Sequence, residues 1–245
     1  MPEPSEYSES GQPVYRYRDP KERKLQPALG DEDNIVAIAK HIEQHIGPPN
    51  QVFHELMSDI VHIDVHLVAP TAARNYYTLV TSGMSERPMH VPEGAEELRY
   101  GELSIALPPT WKLDQESFKD EANYWPVRWL KILARFPHEY ETWLSEGHTI
   151  PTGDPPEPYA KNTKLCCVML AGSALADEEF HTLELSDRNI HFWSLIPLYR
   201  EEMNYKLKEG FEPLLEKLSQ VGGPEELEVV HPRRRNACGK RFWIF

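Results

Sequence analysis

Hydrophobic residues fall along this chain in two rhythms. Over residues 60–69 they take alternate positions: Val61, Ile63, Val65 and Leu67 share one face, and His62, Asp64 and His66 the other. A period of two marks a β-strand. Residues 76–82 (YYTLVTS) and 100–107 (YGELSIAL) have the β-branched and aromatic composition of strands, and Gly83 and Pro108–Pro109 close them. Residues 164–170 (KLCCVML) are apolar almost without a break, as in a strand covered on both faces. Elsewhere the period is helical. Ile35, Ile38, Ile42 and Ile46 recur at steps of three and four, Gly47 suits the left-handed position after a helix, and Pro48–Pro49 stop it. A second helix begins near Asn123 as its cap, carries Trp125, Trp129, Ile132 and Leu133 as its apolar stripe, and ends at Pro137; a shorter helical piece covers 138–144. Segments 180–185 and 190–196 read as extended or loop-like, and helices follow over 197–208 and 211–220.

Several strands run consecutively and helices do not strictly alternate with them. The fold class expected is therefore α+β (mixed α/β): a central, mostly antiparallel or mixed sheet with helices packed on it. Residues 1–30, rich in Pro, Glu, Ser and Tyr, read as an extended N-terminal arm, mobile at its tip; 31–222 form the main domain; 223–245 form a C-terminal extension whose RFWIF end docks. Residues 145–162 hold four prolines and two glycines, a loop long enough to suspect function.

Composition narrows the function classes. The net charge of −13 over 245 residues argues against nucleic-acid binding, which needs clustered Lys and Arg to displace counterions. It suits fast encounter with a basic protein. Three cysteines, an odd and sparse count, fit a reducing compartment without a disulfide framework. Residues 1–11 are polar and acidic, unlike a secretory leader, and no stretch approaches the roughly 20 apolar residues of a membrane span. The expectation is a cytoplasmic protein with no membrane association.

Candidate chemistry is thin. His62, Asp64 and His66 place three ligand-type side chains on one strand face, a possible metal set that His148 or the acidic run 177–179 would complete; the alternative is a hydrogen-bonded polar sheet face. No nucleophile elbow, phosphate-binding loop or dinucleotide turn occurs. Cys166 and Cys167 sit in the most apolar strand, where burial suppresses thiol reactivity. The sequence thus predicts no catalysis and no cofactor. The run Arg233–Arg235 reads as a solvated connection, and Trp125 and Trp129 as core residues, with a partly exposed Trp/Arg pair as the alternative.

The ordered blocks HIDVH (62–66), YYTLVTSGMS (76–85), YGELSIALP (100–108), NYWPVRWLKILARF (123–136), GHTIP (147–151) and TKLCCVML (163–170) resemble the suppressor-of-fused family over about residues 50–220, most closely its compact bacterial members. The resemblance implies a mixed α/β domain over 31–222 without enzymatic activity. In animals it implies sequestration of zinc-finger transcription factors between two lobes, and too few residues follow 220 here for a second lobe. Bacterial relatives look like immunity proteins. The function expected is a non-catalytic protein-binding domain, an immunity or antitoxin-type inhibitor that occludes a protein partner such as a basic toxin. The alternatives are an intracellular regulatory scaffold and a metal-dependent enzyme using His62, Asp64 and His66. Tyr77, Ser82, Met84, Arg128 and His148 are the expected partner contacts, because strand ends and the Pro-rich loop are where binding surfaces form. Ile63, Leu130 and Leu133 are expected core positions. The oligomeric state stays open.

Overall fold

The computed structural model describes residues 3–17, 30–55 and 60–239. The RFWIF segment lies outside them. The chain folds around one mixed sheet of eight strands, as the alternating pattern requires. A short hairpin, β1 (Glu6–Tyr7) with β2 (Pro13–Val14), stands apart within the N-terminal segment. The main sheet comprises β3 (Gln51–Phe53), β4 (Asp64–Val68), β5 (Tyr77–Ser82), β6 (Gly101–Leu107), β7 (Thr149–Pro151), β8 (Leu165–Ala171), β9 (Thr182–Glu184) and β10 (Asn189–Tyr199). Its order is β3-β4-β5-β6-β10-β8-β7, with β9 on β10 beyond the end of β8. All pairings are antiparallel except β6 with β10.

Helices cover both faces. On one lies α2 (Glu121–Tyr140), whose Trp125, Leu130 and Leu133 pack with Val65, Leu79, Leu103, Ile105 and Leu195. On the other, α1 (Glu32–His45) buries Ile38 and Ile42 against Val80, Ile190 and Phe192, and each such side chain contributes about 1.5–3 kcal/mol. Beside it, α3 (Arg200–Glu209) and α4 (Phe211–Ser219) cover the far end of the same face, where Leu214 and Leu218 meet Cys167, Met169, Ile196 and Leu198. A short α5 (Pro224–Glu228) follows. Alternation along β10 decides the layers: Trp193 and Leu195 face α2, whereas Phe192 and Ile196 face the opposite helices.

Three boundaries differ from the sequence pattern. The second helix starts earlier and runs further than expected. Asp120, not Asn123, caps it by accepting from the Ala122 N–H, while the Asn123 side chain reaches back to the Ser117 carbonyl. Pro137 does not end it. Pro137 and His138 are buried, the His138 Nε2–H donates to the Met84 carbonyl at 2.9 Å, and the helix closes at a left-handed Glu141, where the Glu141 and Thr142 N–H groups both bond the Pro137 carbonyl. Similarly, Pro197 lies inside β10 and not at the start of a helix. Pairing of β10 with β6 ends at Ser194, so Pro197 stands where one side of β10 has no ladder partner, and the missing N–H breaks no bond there.

Candidate partner surface

The five expected contact residues do not share one surface. Tyr77 opens β5 opposite Leu107, half-buried against the α2-side core. Ser82 and Met84 follow at the end of the same strand, and both are 0 % exposed. Ser82 Oγ hydrogen-bonds His66 Nε2 at 2.9 Å, and Met84 packs in the core. Contrary to the expectation of a strand-end surface, these two side chains have no exposed area and support the fold from within. Arg128 is half-exposed on α2, bonded to Glu121 by its Nε at 2.7 Å and a terminal nitrogen at 2.5 Å. His148, in the Pro-rich loop, sits edge-on to Trp143 with ring centroids 4.6 Å apart. Burial, reinforced by the nearby Lys206 ammonium, lowers its pKa to about 4, so the ring is neutral at pH 7.

The turn after β5 is built on a carboxylate that the pattern concealed. Gly83 takes φ +109°, and a Cβ there would lie 1.9 Å from the His62 carbonyl oxygen, so only glycine fits. Glu102 on β6 is fully buried and accepts from the Gly83 N–H, the Ser85 N–H, the Ser85 hydroxyl and the Thr81 hydroxyl at 2.6–3.0 Å. Burial raises its pKa, against the pull of those four donors. Ser85 Oγ in turn accepts from Asn34 Nδ2 of α1 at 3.0 Å, so one carboxyl ties strand, turn and helix together. Glu102 alternates with Gly101 and Leu103 and therefore reads in sequence as a solvent-facing position. The sheet is covered on both faces, which reverses that reading.

The His62–Asp64–His66 set is split. Asp64, 4 % exposed, bonds His62 Nε2 at 3.2 Å and His54 Nδ1 at 3.0 Å, and it accepts from the Glu55 N–H. His66 turns instead to Ser82 and is buried, which lowers its pKa. Among the described residues no three His, Cys, Asp or Glu side chains are grouped to hold a metal ion. The arrangement is the hydrogen-bonded sheet face.

A second buried carboxylate fixes the chain after α5. Glu202 on α3, 0 % exposed, receives both terminal nitrogens of Arg234 at 2.8 and 2.5 Å, plus the Tyr199 and Ala237 N–H groups. Arg234 also donates to the Pro197 carbonyl at 2.8 Å and lies over the Tyr199 ring. This overturns the solvated reading of Arg233–Arg235 for its middle member: the Arg234 side chain is 6 % exposed. Cys166 and Cys167 are buried in β8, and desolvation raises both thiols, Cys167 strongly. No helix among the described residues is long and apolar enough to cross a membrane.

The buried carboxylates Asp64, Glu102 and Glu202 are thus all engaged within a mixed sheet covered on both faces. The family model described as "Suppressor of fused protein (SUFU)" matches residues 59–235, and the chain belongs to that family. The fold is similar to that of a SUFU homologue from Neisseria gonorrhoeae FA 1090 (TM-score 0.61, 15 % identity, 86 % of this chain and all of that one). It is similar also to a chain of the Sufu–Fu complex (TM-score 0.58, 16 % identity, 86 % and 93 %) and to Drosophila Suppressor of Fused (TM-score 0.57, 14 % identity, 87 % and 52 %). The chain thus spans about half the length of the Drosophila protein. No curated protein sequence matches it.

Proposed function

We propose that this chain is a non-catalytic protein-binding domain acting in the cytoplasm, and that it inhibits a basic protein partner by covering it, in the manner of an immunity or antitoxin protein. The observation that carries the reading is family membership together with likeness to a chain of the Sufu–Fu complex, a protein–protein assembly. Two further features support it. A net charge of −13 accelerates capture of a basic partner and makes that capture salt-sensitive. The nucleophile-type side chains Cys166 and Cys167 are buried with raised pKa values, which favours binding over covalent chemistry. The likeness to the Sufu–Fu complex also fits a regulatory scaffold, and the nature of the partner separates the two.

The test is an unbiased pull-down with the purified chain as bait at low and high salt, followed by an assay of the captured protein alone and with one equivalent of the chain. A basic toxin silenced at equimolar ratio is the expected result. Capture of a partner whose activity is untouched favours the scaffold, and recovery of no partner at either salt overturns both.

A further inference from the structure

The main sheet has a notch. Along one side of β10, β8 pairs from Ser194 onward and β9 pairs up to His191, so Phe192 and Trp193 have no paired residue between them. The His191 N–H donates to Tyr100 on the β6 side, and N–H and C=O groups of alternate residues point to opposite sides of a parallel strand. The Phe192 backbone therefore faces the same side as β9: the register with β9 uses its N–H, which points to the His181 carbonyl, and its C=O turns into the notch. Around it opens a cleft of about 380 Å³, lined among others by Glu146, Gly172, His181, His191, Phe192 and Trp193.

The walls are held from behind. Buried Glu228 of α5 accepts from the Ser173 hydroxyl at 2.7 Å and the Ala174 N–H at 2.6 Å, fixing the segment that leaves β8. His181 Nε2 donates to the Ser173 carbonyl at 2.8 Å, which leaves its Nδ1 as an acceptor. His191 Nε2 donates to the Glu97 carbonyl at 3.0 Å, so its Nδ1 accepts from the Thr182 hydroxyl at 3.3 Å. Its ring is stacked with Trp193 at 5.9 Å, giving the cleft a flat aromatic side. Gly172 lies beside the His181 ring, which a Cβ there would meet at ordinary contact distance. Glu146 is exposed at the mouth and accepts a long bond, 3.4 Å, from the Gly172 N–H. The Gly172 and Ala174 N–H groups, the Ser173 and Thr182 hydroxyls and the His181 Nε2–H are already engaged, and the acceptors the cleft presents are the Glu146 carboxylate, the Phe192 carbonyl and the His181 Nδ1.

We infer that this notch receives an arginine side chain of the protein partner. A guanidinium is planar, permanently charged and carries five donors, which matches a flat aromatic wall beside an exposed carboxylate and a carbonyl. Arginine is also among the residues that dominate interface energetics. The inference rests on the protein-binding reading and gives it a point of contact.

The probes are N-acetyl-arginine amide and its neutral isostere N-acetyl-citrulline amide, titrated into the whole chain and followed by amide resonances. A probe of this size is expected to bind in the millimolar range. Arginine amide should shift Gly172, Ala174 and Phe192 selectively, citrulline amide should bind at least about tenfold more weakly, and Glu146→Gln should weaken arginine binding about tenfold, as expected for a lost charge-assisted bond. Equal binding of the two probes, shifts scattered over the acidic surface, or none at the notch would overturn the inference. If a partner is captured equally well by wild type and Glu146→Gln, the notch is not its contact while the binding function stands.

Discussion

The two ends of the described chain are fastened by similar groups in opposite surroundings. At the N-terminal side, Ser10 bonds the Leu207 carbonyl, Arg16 bridges Glu6 and Asp154, and the Tyr17 hydroxyl meets Thr142 at 2.7 Å beside Phe136. Arg16, Glu6 and Asp154 are each more than half exposed. At the C-terminal side, Arg234 and Glu202 are almost wholly buried, and neighbouring residues continue the attachment: Val230 N–H bonds the Ala106 carbonyl and Tyr199 Oη donates to the Arg234 carbonyl. Both are arginine–carboxylate contacts. Water screens the first and competes for every bond in it, so its worth is small. In the second, either partner left alone would be a charge in the interior, so breaking it is costly even though forming it gains little over an apolar pair. Burial, not the number of ion pairs, decides which end belongs to the folded unit.

The sharpest way to break this contrast is Arg234→Ala, expected to cost about 3–5 kcal/mol in denaturant unfolding because Glu202 is left buried and unpaired. A loss below 1 kcal/mol would mean that the C-terminal segment is not clasped. Glu102→Ala extends the contrast to a carboxyl without an ion partner. It strands the buried Gly83 and Ser85 donors and should cost about 3 kcal/mol by the same measurement, with Glu102→Gln milder because one amide oxygen still accepts from them. His148 tests burial by titration. The unfolded chain takes up the proton near pH 6.5, but the folded chain refuses it until about pH 4. Stability should therefore fall as pH drops through that window, and His148→Gln should flatten this limb of the stability-versus-pH curve. Arg16→Ala is the smallest expected change: the melting temperature should match wild type at any salt concentration, and a clear drop would show that the exposed bridge matters more than its surroundings allow.

Much of the sheet was legible in the sequence because alternation survives wherever one face packs on a helix. Val61–Leu67, the YYTLVTS and YGELSIAL runs and the unbroken KLCCVML strand all lie in or beside strands of the sheet. What escaped depended on contacts distant in sequence. Pro137 reads locally as a stop, yet burial carries α2 beyond it to Tyr140. Pro197 reads as a helix start, yet an unpaired flank of β10 accommodates it. Glu102 and Arg234 read as solvated charges because nothing nearby in sequence reveals the turn donors or Glu202 that complete them. Ser82 and Met84 were placed at a strand end, where surfaces usually form, but the Gly83 turn folds inward under α1 and α2. The notch left no signal at all, since it arises where two strands share a third and neither fills the gap.

The measurement that bears most directly on the account is the mass and composition, at rising ionic strength, of the species the chain forms with whatever it captures from its own cells. A stoichiometric complex with a basic protein, intact at low salt and dissociating as salt increases, is the predicted result. A chain that stays alone at low salt, or one that holds an acidic protein indifferently to salt, would contradict it.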